Sequence, residues 1–384
     1  MDRRSFIATG GLAAALPLLG TATAATAAAR SAPMSDHVNF VSDGLGLTPA
    51  EYAAQLAQAA AAKDFEPDNY SLGGTIEQIE QAFAQRLGKP AALFLPTGTL
   101  ANHLAVRALA GEHRRVLVQA ESHLYNDSGD CATVLSALNL VPLPADNARL
   151  PLDAVRTEVE RAAQGRVPMK IGAISLESPV RRLGHRYVPW ADVRALCDYA
   201  RGEGIGLHLD GARLFNLPQH TGHNVREYTA LFDTVYVSLW KHFNAASGAI
   251  LAGESALIEP LRAQRRMFGS GLPHAWPLVG PAQRYLQDYE QQYARAWQAA
   301  EQVFAALQAD GRLRVQRLPE GTSSVALTLP GQIDAQAWAA KAGAAGVRVA
   351  APPPGGNSML QVNATLLRRP PQDVAKILLA ALVS

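Results

Sequence analysis

From Lys63 onward the chain alternates short apolar runs with stretches of helical period, and this alternation restricts the fold more than any other feature. The runs are Ala91–Leu95, Arg115–Val118, Leu138–Leu143, Ile171–Leu176, Gly206–Asp210, Thr234–Ser238 and Gly248–Ala252. Runs this short and this continuously apolar suit strands buried on both faces, as in a parallel sheet whose crossovers are helices. The expectation is an α/β fold with a mostly parallel seven-stranded sheet. Ahead of the first strand, Ile76, Ile79, Phe83 and Leu87 form a helical stripe; Thr75 and Gln78 have capping-box spacing, and Gly88 closes the helix. A long helical connection is expected from about Leu278 to Ala309. Beyond it the pattern mixes strands near Leu313–Gln316, Ser324–Leu329, Val347–Ala350 and Met359–Val362 with helices near Ala335–Ala344 and Pro371–Leu382. That mixture predicts a smaller C-terminal α+β domain.

The first residues read as an address. Asp2-Arg3-Arg4-Ser5-Phe6-Ile7 is a twin-arginine pattern, followed by a mildly apolar stretch to Leu19 and small residues at Ala27-Ala28-Ala29. A membrane span needs ~20 apolar residues, whereas this run is broken by Gly10, Gly11 and Pro17. The expected organisation is a signal peptide over 1–29, an N-terminal arm over 30–62, a large domain over 63–277 and a small domain over 278–384. The mature protein is expected in the periplasm, with no membrane attachment after signal removal. A formal net charge of +2, with no basic block interleaved with aromatics, argues against nucleic acid as a partner. No CxxC or paired-histidine spacing argues for a metal. Cys131 and Cys197, each inside an apolar helical pattern, are expected as buried free thiols.

In an α/β fold, residues just past the strand carboxyl ends converge on the ligand crevice. Leu207-His208-Leu209-Asp210 ends such a strand in an acid, and Val235-Tyr236-Val237-Ser238-Leu239-Trp240-Lys241 ends the next in an amine. A carboxylate closing an apolar strand needs a cationic partner, either Arg213 or a protonated ligand nitrogen. Lys241 lies among Trp240, His242 and Phe243, surroundings that lower an amine's pKa. Pro96-Thr97-Gly98-Thr99-Leu100-Ala101-Asn102 follows the first strand and opens a helix, so its N–H groups suit a phosphate, with Gly98 allowing close approach. His123, in Ala120-Glu121-Ser122-His123, follows the second strand, where an imidazole can stack on a ring and exchange protons. Together these pieces suit pyridoxal 5'-phosphate, with Lys241 forming the Schiff base and Asp210 on the pyridine nitrogen.

The same residues carry a resemblance. Ala91-Ala92-Leu93-Phe94-Leu95-Pro96-Thr97-Gly98-Thr99, the Glu121-Ser122-His123 piece, His208-Leu209-Asp210-Gly211-Ala212-Arg213-Leu214-Phe215-Asn216 and Lys241 resemble the threonine aldolase and β-eliminating lyase group of fold-type-I pyridoxal-phosphate enzymes. The similarity runs from about Asn39 to the C-terminus. It implies Lys241 as Schiff-base residue, Asp210 on the pyridine nitrogen, His123 against the ring face, and Gly98 and Thr99 on the phosphate. It also implies Arg213 near the cofactor hydroxyl and substrate carboxylate, Ser42 beside that carboxylate, and a homodimer or homotetramer with sites at the subunit interface.

The chain also departs from the group's pattern. Pro273 and Gln361 stand where the group has arginines, the latter a substrate-carboxylate clamp, and a family histidine falls near Val167. A neutral amide is a poor substitute for a bidentate guanidinium. Glu177-Ser178-Pro179-Val180-Arg181-Arg182 replaces the usual ENTHN, placing two arginines by the site; Trp240 and His242 flank the lysine in place of Ser and Gly. The expectation is a retained cofactor site and a reworked substrate site, in which Arg181 or Arg182, helped by Arg213, receives the carboxylate. The implied reaction is cleavage of the Cα–Cβ bond of a β-hydroxy amino acid to glycine and an aldehyde. β-Elimination or racemisation on the same cofactor is the alternative, and an exported binding protein with a degenerate site is a third reading.

Overall fold

The computed structural model describes residues 35–144 and 147–383. The expected signal peptide, 1–29, lies outside the described residues. Among the described residues twelve strands, β1 to β12, are Val38–Asn39, Ala91–Leu95, Arg115–Gln119, Asn139–Leu143, Ile171–Glu177, Gly206–Asp210, Thr234–Ser238, Ala249–Gly253, Arg314–Arg317, Ser324–Thr328, Val347–Arg348 and Ser358–Gln361. The central sheet has seven strands in the order β2-β8-β7-β6-β5-β3-β4. Only β8 runs antiparallel to its neighbours, β2 and β7; the other pairings are parallel. The mostly parallel sheet expected from the apolar runs is therefore present, with its strand ends shifted by a residue or so.

The strands are buried because both faces are covered. Phe94, Val235, Val237 and Ile250 pack into the large core on one face, against Ile76, Ile79, Phe83 and Leu87. Leu93, Leu95, Tyr236 and Leu251 face the other way, onto Leu100, Ala101, Leu104 and Ala105. These last belong to the helix Gly98–Ala110, which leaves the end of β2. Burying each such side chain contributes roughly 1.5–3 kcal/mol before entropy is subtracted. The stripe helix Gly74–Leu87 ends at Gly88 in the left-handed conformation, as expected. Its start differs from the capping-box expectation. The N-cap is Gly73, and Thr75 lies inside the helix with its hydroxyl donating to the Glu66 carbonyl at 2.9 Å. The helix starts before Thr75, whose hydroxyl ties the first turn to the preceding loop instead of capping it.

A 29-residue helix, Ala282–Asp310, connects the sheet to a second core built on Phe304, Leu327, Trp338, Leu360 and Leu378. There β10 pairs antiparallel with β9 and β12. The strand expected near Val347–Ala350 does not join them: Val347 and Arg348 pair parallel with Val38 and Asn39 of the N-terminal arm. Phe40 completes the seam, donating to the Arg348 carbonyl at 2.9 Å and accepting from the Gln361 N–H at 2.7 Å. Both cysteines are unpaired; Cys197 is buried, whereas Cys131 is half-buried at the start of a short helix. Among the described residues no helix is long and apolar enough to cross a membrane.

Candidate active site

Parallel register brings Glu177, Asp210 and Tyr236 side by side at the carboxyl ends of β5, β6 and β7. These residues floor a cleft of about 240 Å³ whose walls include Gly98, Thr99, His123, Arg181, Arg213, Trp240 and Lys241. The structure brings Lys241, Asp210, His123, Gly98, Thr99, Arg213 and Arg181 together around this one cleft.

Each wall has a local cause. Two residues past the end of β2, Thr97 caps the following helix with its extended backbone and its hydroxyl, which accepts from the Leu100 N–H at 3.2 Å. Gly98 and Thr99, at the first turn, line the cleft, and N–H groups there without an intrahelical acceptor suit an anion. Gly98 is required there, because a Cβ would overlap the phenol of Tyr236, with the ring Cε2 only 3.1 Å away. Lys241 lies in the short helix Leu239–His242, directly after β7. Burial, then the Arg213 guanidinium, lowers its pKa to about 8. Its Nζ lies 4.8 Å from the Trp240 ring centre.

Asp210 decides whether a pyridinium fits. Its side chain is 3% exposed, accepting from Asn102 Nδ2 at 2.6 Å and the Ala212 N–H at 3.1 Å. Asn102 Oδ1 in turn accepts from His208 Nε2 at 2.9 Å, and His208 Nδ1 accepts from the Thr234 hydroxyl at 2.9 Å. Burial lowers the His208 pKa to about 4, so this relay is neutral and leaves Asp210 without a counter-charge. Arg213, the in-chain candidate, is committed elsewhere. It forks onto Asp43, Nε to Oδ1 at 2.7 Å and Nη2 to Oδ2 at 2.8 Å. Among the described residues no ion pair reaches Asp210, so a bound pyridine nitrogen is the cation the site calls for, and the residues fit pyridoxal 5'-phosphate.

Three residues of consequence were not singled out from the sequence. The Asp43 side chain is 8% exposed, and although burial alone would raise its carboxyl pKa, Arg213 outweighs this and holds it well below the ordinary range. Glu177 is 3% exposed and accepts the His123 N–H at 2.6 Å and the Arg181 N–H at 2.8 Å, tying two loops to the end of β5. Burial, then the neighbouring Asp210, pushes its pKa to about 7. Tyr236 read as an ordinary strand residue. Burial lowers the pKa of His123, whose Nδ1 lies 3.4 Å from Ser128 Oγ.

Some expected substrate residues lie elsewhere. Arg182 is not in the cleft; it is exposed and pairs with Glu121 at 3.0 Å and Asp127 at 3.4 Å. Arg181 does line the cleft but is itself bound to Asp127 at 2.6 Å. Ser42 lines a second cavity, with its hydroxyl donating to the Gly44 carbonyl. Gln361 ends β12 outside the cleft, its Oε1 buried without a partner. Phe243 is core, edge-on to Phe83 and Phe215; Trp276 packs on Phe65. Of these aromatics and Trp240, only Trp240 lines the cleft. Val167 is exposed, ahead of β5 and away from the strand carboxyl ends.

A seven-stranded sheet of this order, with lysine, acid and phosphate turn at its carboxyl edge, defines a fold-type-I pyridoxal-phosphate enzyme. The chain belongs to the β-eliminating lyase family, whose sequence model matches residues 39–327. It is 32% identical to the aldolase vrtJ of Penicillium aethiopicum over 224 residues, 58% of this chain and 56% of that one. It is 30% identical to the low-specificity L-threonine aldolase of Candida albicans over 211 residues, 54% of this chain and 55% of that one. The chain thus spans about half the length of the curated relatives it matches. Among solved structures, an Exiguobacterium protein assigned to the aromatic amino acid β-eliminating lyase/threonine aldolase group superposes with a TM-score of 0.72. That match has 26% identity and covers 85% of this chain and 93% of the other.

Proposed function

We propose that the protein is a pyridoxal-phosphate-dependent lyase that cleaves the Cα–Cβ bond of a β-hydroxy α-amino substrate, releasing an aldehyde and a glycine unit. The observation that carries this reading is Asp210, buried without a counter-ion opposite an amine of lowered pKa, because Arg213 is paired to Asp43. When bound, pyridoxal 5'-phosphate supplies an electron sink conjugated to the substrate Cα. The chain's residues do the rest. Lys241, with its pKa near 8, has a usable fraction of free amine at neutral pH. The first turn of the Gly98 helix would hold the phosphate, and Asp210 would keep a proton on the pyridine nitrogen. His123 is neutral at neutral pH, since burial lowers its pKa, and takes the proton from the β-hydroxyl. Glu177 fixes its backbone from below.

The test is aldehyde release by the purified, cofactor-loaded protein from L-threonine, L-allo-threonine and phenylserine, with glycine measured alongside. Equal amounts of both products, lost in Lys241→Ala, are expected. Turnover without glycine would replace this reading by elimination or racemisation. We further propose a homodimer or homotetramer, supported by the resemblance to the aldolase group. Export to the periplasm by the twin-arginine route is proposed on the Arg3-Arg4 segment.

A further inference from the structure

The residue assigned the β-hydroxyl proton, His123, has a charged neighbour in the cleft. His123 follows β3 and Arg181 follows β5, and these strands are adjacent in the sheet. One carboxylate holds both main chains: Glu177 Oε2 accepts the His123 N–H at 2.6 Å, and Oε1 accepts the Arg181 N–H at 2.8 Å. Both residues line the cleft, whereas the phosphate turn follows β2, at the far end of the strand order. A substrate bound with its β-hydroxyl at His123 therefore has Cβ, and the group Cβ carries, on the Arg181 side.

Arg181 is held in place without being used up. Its Nη2 donates to Asp127 at 2.6 Å, while its Nε and Nη1 have no acceptor among the described residues. Asp127 is itself divided between two guanidinia, since Arg182 reaches its other oxygen at 3.4 Å. Glu177 takes only the backbone N–H of Arg181 and forms no ion pair with its side chain. A guanidinium fixed in this way loses little further freedom when it binds an anion. Arg213, after β6, is a separate cation. Its Nε and Nη2 fork onto Asp43, and its Nη1 has no acceptor among the described residues. An α-carboxylate can be met there, which leaves Arg181 for a second anion.

We propose that Arg181 sets specificity and that the preferred substrate carries an anionic group on Cβ, in the simplest case a carboxylate. This rests on the proposed lyase function and names the aldehyde half of its substrate. A hydrogen bond from a guanidinium to a carboxylate is roughly twice as strong as one between neutral groups. A methyl or phenyl group on Cβ would leave those N–H groups unused. With a carboxylate on Cβ the substrate is β-hydroxyaspartate. Its hydroxyl proton goes to His123, the carbinol carbon becomes the aldehyde of glyoxylate, and the electron pair of the broken Cα–Cβ bond stays on Cα. Protonation of Cα then gives glycine, with atoms balanced.

The test compares isosteres that lack a β-hydroxyl, so that it does not depend on cleavage. L-Aspartate and L-asparagine are titrated into the cofactor-loaded protein, following the visible band, with constants expressed per free-base amine. Aspartate is expected to bind roughly fivefold more tightly or better. The double variant Arg181→Gln with Asp127→Asn removes the guanidinium together with the acid it would leave behind, and there the ratio should fall to about one. Arg182→Gln, outside the cleft, should leave the ratio unchanged. A wild-type ratio below fivefold would overturn the proposal. So would a ratio that survives the double variant while both ligands weaken alike, which would make Arg181 a receptor for the α-carboxylate. Cleavage is scored separately, with β-hydroxyaspartate expected to exceed β-hydroxyasparagine in kcat/KM. Absence of aldehyde from threonine and β-hydroxyaspartate alike would instead overturn the lyase reading and leave the binding order standing.

Discussion

The lowered pKa of Lys241 sets how fast the apoprotein captures its cofactor. Only a free amine attacks an aldehyde, and the ordinary lysine pKa of 10.5 falls to about 8 here, chiefly through burial and secondly through Arg213. At pH 7 that shift raises the free-base fraction from ~0.03% to ~10%, a gain of roughly 300-fold. The sign follows from depression of a cation's pKa: capture is slow below 8, where the amine is protonated, and levels off above it. Between pH 7 and pH 9 the capture rate should rise about tenfold, then change little to pH 10. The assay is stopped-flow absorbance of apoprotein mixed with pyridoxal 5'-phosphate across this range. N-α-acetyl-lysine in the same buffers serves as the reference and corrects for ionisation of the cofactor itself. It should keep rising about tenfold per pH unit up to its own pKa. A protein profile that climbs in parallel with this reference, with no break near 8, would refute the argument that burial activates the amine.

Asp43→Asn leaves Arg213 buried beside a neutral amide, so urea denaturation should show a loss of ~3–5 kcal/mol; a loss below ~1 kcal/mol would mean the pair is better solvated than its geometry indicates. Gly98→Ala drives a methyl into the Tyr236 phenol, and should cost ~1–3 kcal/mol by the same assay while weakening cofactor binding at least tenfold; an unchanged cofactor Kd would dissociate this turn from the phosphate. Arg182→Ala should change neither Tm nor KM, because its partners are exposed acids outside the cleft, whereas Arg181→Ala should raise KM. The reverse order would place Arg182 at the substrate.

The sheet could be read from the chain because strands covered on both faces leave unbroken apolar runs, as in Val235–Val237 and Leu93–Leu95. The cofactor residues were legible for a related reason, since each directly follows such a run. What the sequence could not disclose is who pairs with whom. Asp210 and Arg213 lie three residues apart and look like partners, yet Arg213 reaches 170 residues back to Asp43. Asp43 has no local signature, being one acid in an irregular arm. Glu177 had a signal that went unused: it ends β5 as Asp210 ends β6, in the same register. Arg181 and Arg182 are adjacent in a three-residue 3-10 turn, and only the turn decides which one faces the cleft. Thr75 is not the cap because the helix begins one residue earlier, at Gly74 after Gly73.

The N-terminal arm is held by the far end of the chain. The Asn39 N–H donates to Thr365 Oγ1, 326 positions later, and Asn363 Nδ2 donates to the carbonyls of Asn39 and Ser42 at 2.6 and 2.8 Å. Those contacts hold the segment that carries Asp43 to Arg213 and Gly44 to the lysine turn. On the ribosome, the first residues of the arm must therefore wait for almost the last ones before the wall they form can close. A nascent chain that already has its sheet, its lysine and its phosphate turn still lacks the counter-charge for Arg213. A chain cut short before Asn363 should therefore lose the seat of the segment that carries Asp43 and hold the cofactor less tightly.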